Sequence, residues 1–101
     1  MTFTVEQELL EFLEKRKNKV LAVEIAGSSG SDFEVSELHI RTVSEKQAER
    51  MIRLNGCHPR ETTEGIKVLL PNYRLEYADT ITFGLKKILC FHVVTCRGIT
   101  L

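Results

Sequence analysis

No charge of one sign prevails in this sequence: fourteen Lys and Arg residues offset fourteen Asp and Glu. A strong nonspecific binder of nucleic acid or membrane surfaces usually carries a clear basic excess, so that class is disfavoured. Long apolar runs are missing too. No stretch approaches the ~20 residues that a membrane-spanning helix needs, and no membrane partner is expected. Proline occurs only twice and no tract is of low complexity, so nothing predicts long disorder. The three cysteines, Cys57, Cys90 and Cys96, are an odd number without the spacing of a disulfide framework. The polar, acidic start from Met1 to Glu8 resembles neither a signal nor a transit peptide. These absences together make the reducing cytoplasm the expected compartment.

What is present is an ordinary globular composition in 101 residues, the size of one domain. The balanced charge hides a dipole. Seven acids face four bases over residues 1–34, and ten bases face seven acids after that. Such an asymmetry can orient a partner or a second copy of the chain.

The first helix is predicted over residues 5–17. Thr4 and Gln7 have the spacing of a capping box with Phe3 before it, and Val5, Leu9, Phe12 and Leu13 fall on one stripe. Residues 19–26 alternate as a strand. Gly27 to Asp32 reads as a loop, and 33–42 returns as the second strand of a hairpin. The side-chain phase changes between Val35 and Leu38, so a bulge is expected near Ser36-Glu37. A second helix is capped by Ser44 with Gln47 and stopped by Gly56, with Ala48, Met51, Ile52 and Asn55 on one face. Residues 57–65 read as an irregular connector and 66–70 as a strand ending at Pro71-Asn72. Residues 73–83 read as one bent strand or two short ones, broken at Gly84. Arg97-Gly98 is a further turn signal.

The organising stretch is predicted to be 86–96, a central strand with Ile88, Cys90, His92, Val94 and Cys96 on one face and Leu89, Phe91, Val93 and Thr95 on the other. The resulting class is α+β, in the order α-β-β-α-β-β-β. It is a single two-layer domain over residues 1–101, with a mostly antiparallel sheet and both helices on one face. The doubly apolar central strand then needs further cover. Strong curling of the sheet supplies it, or a homodimer, the expected state, with the apolar end Ile99-Thr100-Leu101 as an edge for a second copy.

Candidate chemistry is sparse. Cys90, His92 and Cys96, with Cys57-His58, offer thiol and imidazole ligands, but their spacing matches no zinc pattern and a buried core face is the better reading. Cys57 follows a helix C-terminus, where the dipole raises a thiol pKa, so a nucleophile is not expected there; a contact under the glycine cap is. The Gly- and Ser-rich loop is followed by a strand, unlike phosphate loops that lead into a helix. Tyr73 and Tyr77 share a strand face and are suited to stacking on bases, or to a half-buried core edge. Lys46, Arg50 and Arg53 form a basic stripe opposite the apolar face of the second helix, and Arg60 is a candidate to extend it. These four are the expected partner-binding residues; no catalytic residue, metal or cofactor is assigned. The expected function is that of a small non-catalytic interaction or regulatory protein that binds another protein. The alternatives are nucleic-acid binding through the second helix, or a small enzyme using His58 or His92.

Overall fold

The computed structural model describes residues 1–29 and 34–100. Nine elements follow one another: β1 (Thr2–Val5), α1 (Gln7–Glu14), β2 (Val20–Ser29), β3 (Glu34–Val43), α2 (Glu45–Asn55), β4 (His58–Glu61), β5 (Lys67–Leu70), β6 (Glu76–Ile88) and β7 (Phe91–Thr100). They make two sheets, one of three strands in the order β1-β6-β7 and one of four in the order β3-β2-β5-β4. The α+β class stands, but both sheets are mixed rather than mostly antiparallel. β1 runs parallel to β6 and β2 parallel to β5, while the other three pairings are antiparallel.

Alternation along β2 divides the core. Leu21 and Val23 enter one apolar cluster with Phe3, Val5, Leu9, Leu13, Ile81 and Phe83. Val20 and Ala22, on the opposite face, enter a second cluster with Val43, Ala48, Cys57 and Leu69. α1 and the three-stranded sheet therefore cover one face of the four-stranded sheet, and α2 covers the other. This corrects the expectation of two layers with both helices on one face; the two-sided apolar strand at the centre is β2, not residues 86–96.

The first helix begins later than its capping pattern suggests. Residues 2–5 pair with Thr80–Phe83 of β6, which buries Phe3 and Val5, and the Thr4 and Thr82 hydroxyls bond at 3.3 Å. Burying two large side chains outweighs a cap worth about 1 kcal/mol. Glu6 takes the cap position without a side-chain cap bond; its N–H donates to the Phe83 carbonyl at 2.9 Å. The helix ends at Glu14, short of residue 17.

The pairing of β2 with β3 is continuous from Val20↔Val43 to Ser29↔Glu34, with no bulge at Ser36-Glu37. Gly27, Ser28 and Ser29 belong to β2, and the remainder of the loop reading, Gly30 to Asp32, with Phe33, lies outside the described residues. α2 matches its sequence signals: Ser44 and Gln47 form the reciprocal capping box, and Gly56 closes the helix in a left-handed conformation. Part of the predicted connector is the short strand β4.

Residues 73–83 resolve into β6, which is a single strand with a register shift between Tyr77 and Thr82. Gly84 does not break it; it pairs with Thr95 inside the strand. A Cβ there would meet a Glu6 carboxylate oxygen at 2.7 Å and the Thr95 hydroxyl at 3.0 Å, so a larger residue has to push the flexible Glu6 side chain aside. Arg97-Gly98 is likewise inside β7, opposite the irregular part of β6. Ile99 is buried and pairs with Tyr77, so it serves this chain's own core.

The largest correction concerns 86–96. Ile88 pairs with Phe91 across a two-residue turn, Leu89-Cys90, so the stretch is the tip of a hairpin. Leu89 has a φ of 54°. Among the described non-glycine residues it alone has positive φ, the sign pattern of a type II′ turn. That turn normally has glycine at its first central position, and nothing in Ile88-Leu89-Cys90-Phe91 announces it.

Candidate interaction surface

α2 is held by its apolar side. Ala48 is buried and Met51 and Ile52 are half-buried against the four-stranded sheet, while Asn55 is exposed. This fixes the helix rotation and turns Lys46, Arg50 and Arg53 to solvent, where they line one groove with Ser44, Gln47 and Glu49. Among the described residues none of the three cations forms an ion pair. Glu45, at the helix start, is engaged by Lys67 at 2.9 Å, and Glu49 lines the groove without an ion pair to any of the three among the described residues. The stripe therefore presents three charges within about two turns, uncompensated by direct pairing.

Arg60 stands apart from that groove. It lies on β4, donates to its own neighbour's carbonyl, Pro59 O, at 2.9 Å, and lines a hollow with His58, Tyr73, Arg74 and Tyr77. Burial pushes the Tyr77 hydroxyl pKa up, and the nearby Arg60 guanidinium acts in the opposite direction. The structure thus brings three of the four predicted partner-binding residues together and places the fourth beside the two tyrosines.

The thiols are dispersed. Cys57 is buried beneath the α2 cap with Val43, Ala48 and Leu69. Burial, with Glu24 adding to it, raises its pKa. Cys96 is pushed up to about 11, chiefly by burial. Both are therefore protonated thiols at neutral pH and poor nucleophiles. The hairpin turn separates Cys90, which is exposed, from the inner face that carries His92 and Cys96. His92 is not a core residue: it is exposed, with its ring centroid 5.2 Å from that of Phe12. Among the described residues no three His, Cys, Asp or Glu side chains are grouped to hold a metal ion. Among those residues, also, no helix is long and apolar enough to cross a membrane.

The β6–β7 tip is the surface that sequence reasoning missed. Register puts Lys87, His92, Leu85, Val94, Phe83 and Cys96 on the inner face, and Leu85, Val94 and Cys96 pack against the core. The outer face carries Ile88 (45 % exposed), Phe91 (67 %), Lys86 and Val93 (44 %), and Leu89 at the turn is 87 % exposed. Four large apolar side chains thus face solvent at one end of a small domain, which makes this end a candidate interaction surface.

No family model matches the chain, and neither a curated protein nor a solved structure matches it.

Proposed function

We propose that the protein is a small interaction or regulatory protein without catalysis of its own, which binds an acidic protein partner through the basic face of α2. The observation that supports this reading most is the set Lys46, Arg50 and Arg53, aligned on one exposed groove and, among the described residues, making no ion pair. Ion pairs that form only in a complex give specificity and speed encounter, and they need cations that are free beforehand. The raised thiol pKa values of Cys57 and Cys96 point away from covalent catalysis and agree with a binding role. A cytoplasmic setting and self-association belong to the same proposal.

Nucleic-acid binding is the second reading, favoured by the hollow that places Arg60 and Arg74 beside Tyr73 and Tyr77. Tyr73 is exposed enough to stack on a base. Tagged protein purified with and without nuclease treatment separates the two. Retention of an acidic protein after nuclease supports the proposal. A partner that disappears with nuclease, together with a steep salt dependence on single strands, overturns it in favour of the second reading.

A further inference from the structure

The tip of the β6–β7 hairpin combines two features in a fixed order along its length. Leu89 is at the end, with Ile88 and Phe91 next, and Lys87 and Lys86 behind them. At ~3.3 Å per residue, the lysines sit about 7 and 10 Å behind Leu89. No Asp or Glu follows Asp79 in the sequence, so the tip half of the hairpin, from Thr80 through the turn, carries only cations, and its two acids, Glu76 and Asp79, lie at the far end of β6.

α1 extends this pattern. Its start is tied to the hairpin base through the Glu6 N–H to Phe83, and further along the helix Phe12 meets His92, which pairs with Lys87 near the tip. The helix therefore ends at the tip side, where Arg16 lies 4.2 Å over the Phe12 ring, between Lys15 and Lys17 in the chain. The acids of α1 are placed otherwise. Glu6 is paired with Arg97 at the base and Glu8 lies one turn back from Phe12. Glu11 and Glu14 are rotated about 100° and 160° away from Phe12 around the helix axis.

We propose that this hairpin docks on an anionic lipid surface, with Leu89, Ile88 and Phe91 entering the boundary between headgroups and acyl chains and Lys86, Lys87 and Arg16 facing the lipid anions. Interfacial elements bury their apolar side about 5–10 Å deep, which matches the distance from Leu89 back to the lysines. Surface cations near an anionic leaflet add attraction. A second copy stacked tip to tip is the less favourable occupant, because it brings Lys86 and Lys87 of both copies together. The surface is separate from the α2 groove, so this inference and the proposed function stand or fall independently.

Cys90 provides the probe, being exposed at the turn while Cys57 is buried and Cys96 half-buried. Protein labelled there with an environment-sensitive fluorophore is mixed with phosphatidylcholine vesicles, with and without phosphatidylserine. The expected result is a blue shift and co-sedimentation with the phosphatidylserine vesicles alone. Phe91→Ser and the pair Lys86→Glu/Lys87→Glu should each weaken sedimentation of the unlabelled protein at least ~10-fold. All three substituted side chains are exposed, and an unchanged unfolding midpoint verifies the fold. Lys46→Glu/Arg50→Glu should leave vesicle binding intact. Absence of vesicle binding by the wild type overturns the proposal, as does binding unaffected by Phe91→Ser. Self-association or capture of a soluble protein that depends on Phe91, without vesicle binding, overturns it as well and assigns the face to a protein.

Discussion

Phe83 and Phe91 sit on the same hairpin, and replacing each with alanine should have very different consequences. Phe83 is fully buried between α1 and the four-stranded sheet, whereas Phe91 is 67 % exposed on the outer face. Truncating a buried phenylalanine removes its transfer energy and leaves a cavity, a loss of about 3–5 kcal/mol. For Phe91 only about a third of the side chain is withdrawn from water. Full burial of such a side chain is worth about 1.5–3 kcal/mol, so Phe91→Ala should cost roughly 0.5–1 kcal/mol. Against a total stability of about 5–15 kcal/mol for a domain of this size, the first change is severe and the second minor. Urea unfolding followed by far-UV circular dichroism reads the difference directly. With a slope of about 1–3 kcal/mol per molar urea, the two midpoints should lie about 1 M or more apart. Equal losses for the two variants would show that Phe91 is buried and that residues 86–96 form one central strand after all.

Gly98→Ala should destabilise by about 2–3 kcal/mol, because φ is +101° there and a Cβ would lie 2.6 Å from the Thr80 carbonyl oxygen; thermal unfolding checks it, and a neutral outcome would contradict the bulge geometry. Leu89→Gly should stabilise by about 0.5–1 kcal/mol, since relief of an unfavourable positive φ exceeds the entropic cost of glycine; a loss of stability in urea would argue against the turn. Burial acts to raise the Glu64 carboxyl pKa, but bonds from the Thr63 hydroxyl and the Val5 N–H, the latter at 2.8 Å, outweigh it and leave the pKa below its ordinary 4.5. A carboxylate favoured in this way adds stability above that pH and loses it as pH falls through the native value. Glu64→Gln should therefore lower stability at pH 7 and flatten its decline on acidification below about pH 4.5. An unchanged acid profile would show that the bond from Val5 contributes nothing.

The parts of the fold that were legible in the sequence are those whose signals are local. Ser44, Gln47 and Gly56 act on backbone groups within a turn of themselves, so α2 and the outward position of Lys46, Arg50 and Arg53 followed without knowledge of the rest. The Thr4 and Gln7 pair carries the same local signal, yet it is overridden by β6, 78 residues away in sequence, because Phe3 and Val5 gain more from burial than Thr4 gains from capping. The hairpin tip was hidden for a different reason. Turn prediction rests on Gly, Asn, Asp and Pro, and Ile88-Leu89-Cys90-Phe91 contains none of them. An apolar run without punctuation reads as a buried strand whether its side chains meet a core or solvent. Charge alone makes Arg60 a candidate, and only the pairing of β4 with β5 places it by the tyrosines rather than along α2.

The α2 surface is tested most directly by reversing its charge. The acidic protein retained by the wild type should be titrated against a Lys46→Glu/Arg50→Glu/Arg53→Glu variant and, as control, against Phe91→Ser. The three positions are exposed, so the variant should retain the wild-type stability within about 1 kcal/mol. The account predicts at least a tenfold rise in Kd for the charge-reversed protein, a rise that shrinks as salt is added, and no change for Phe91→Ser. Undiminished affinity of the charge-reversed protein would contradict it.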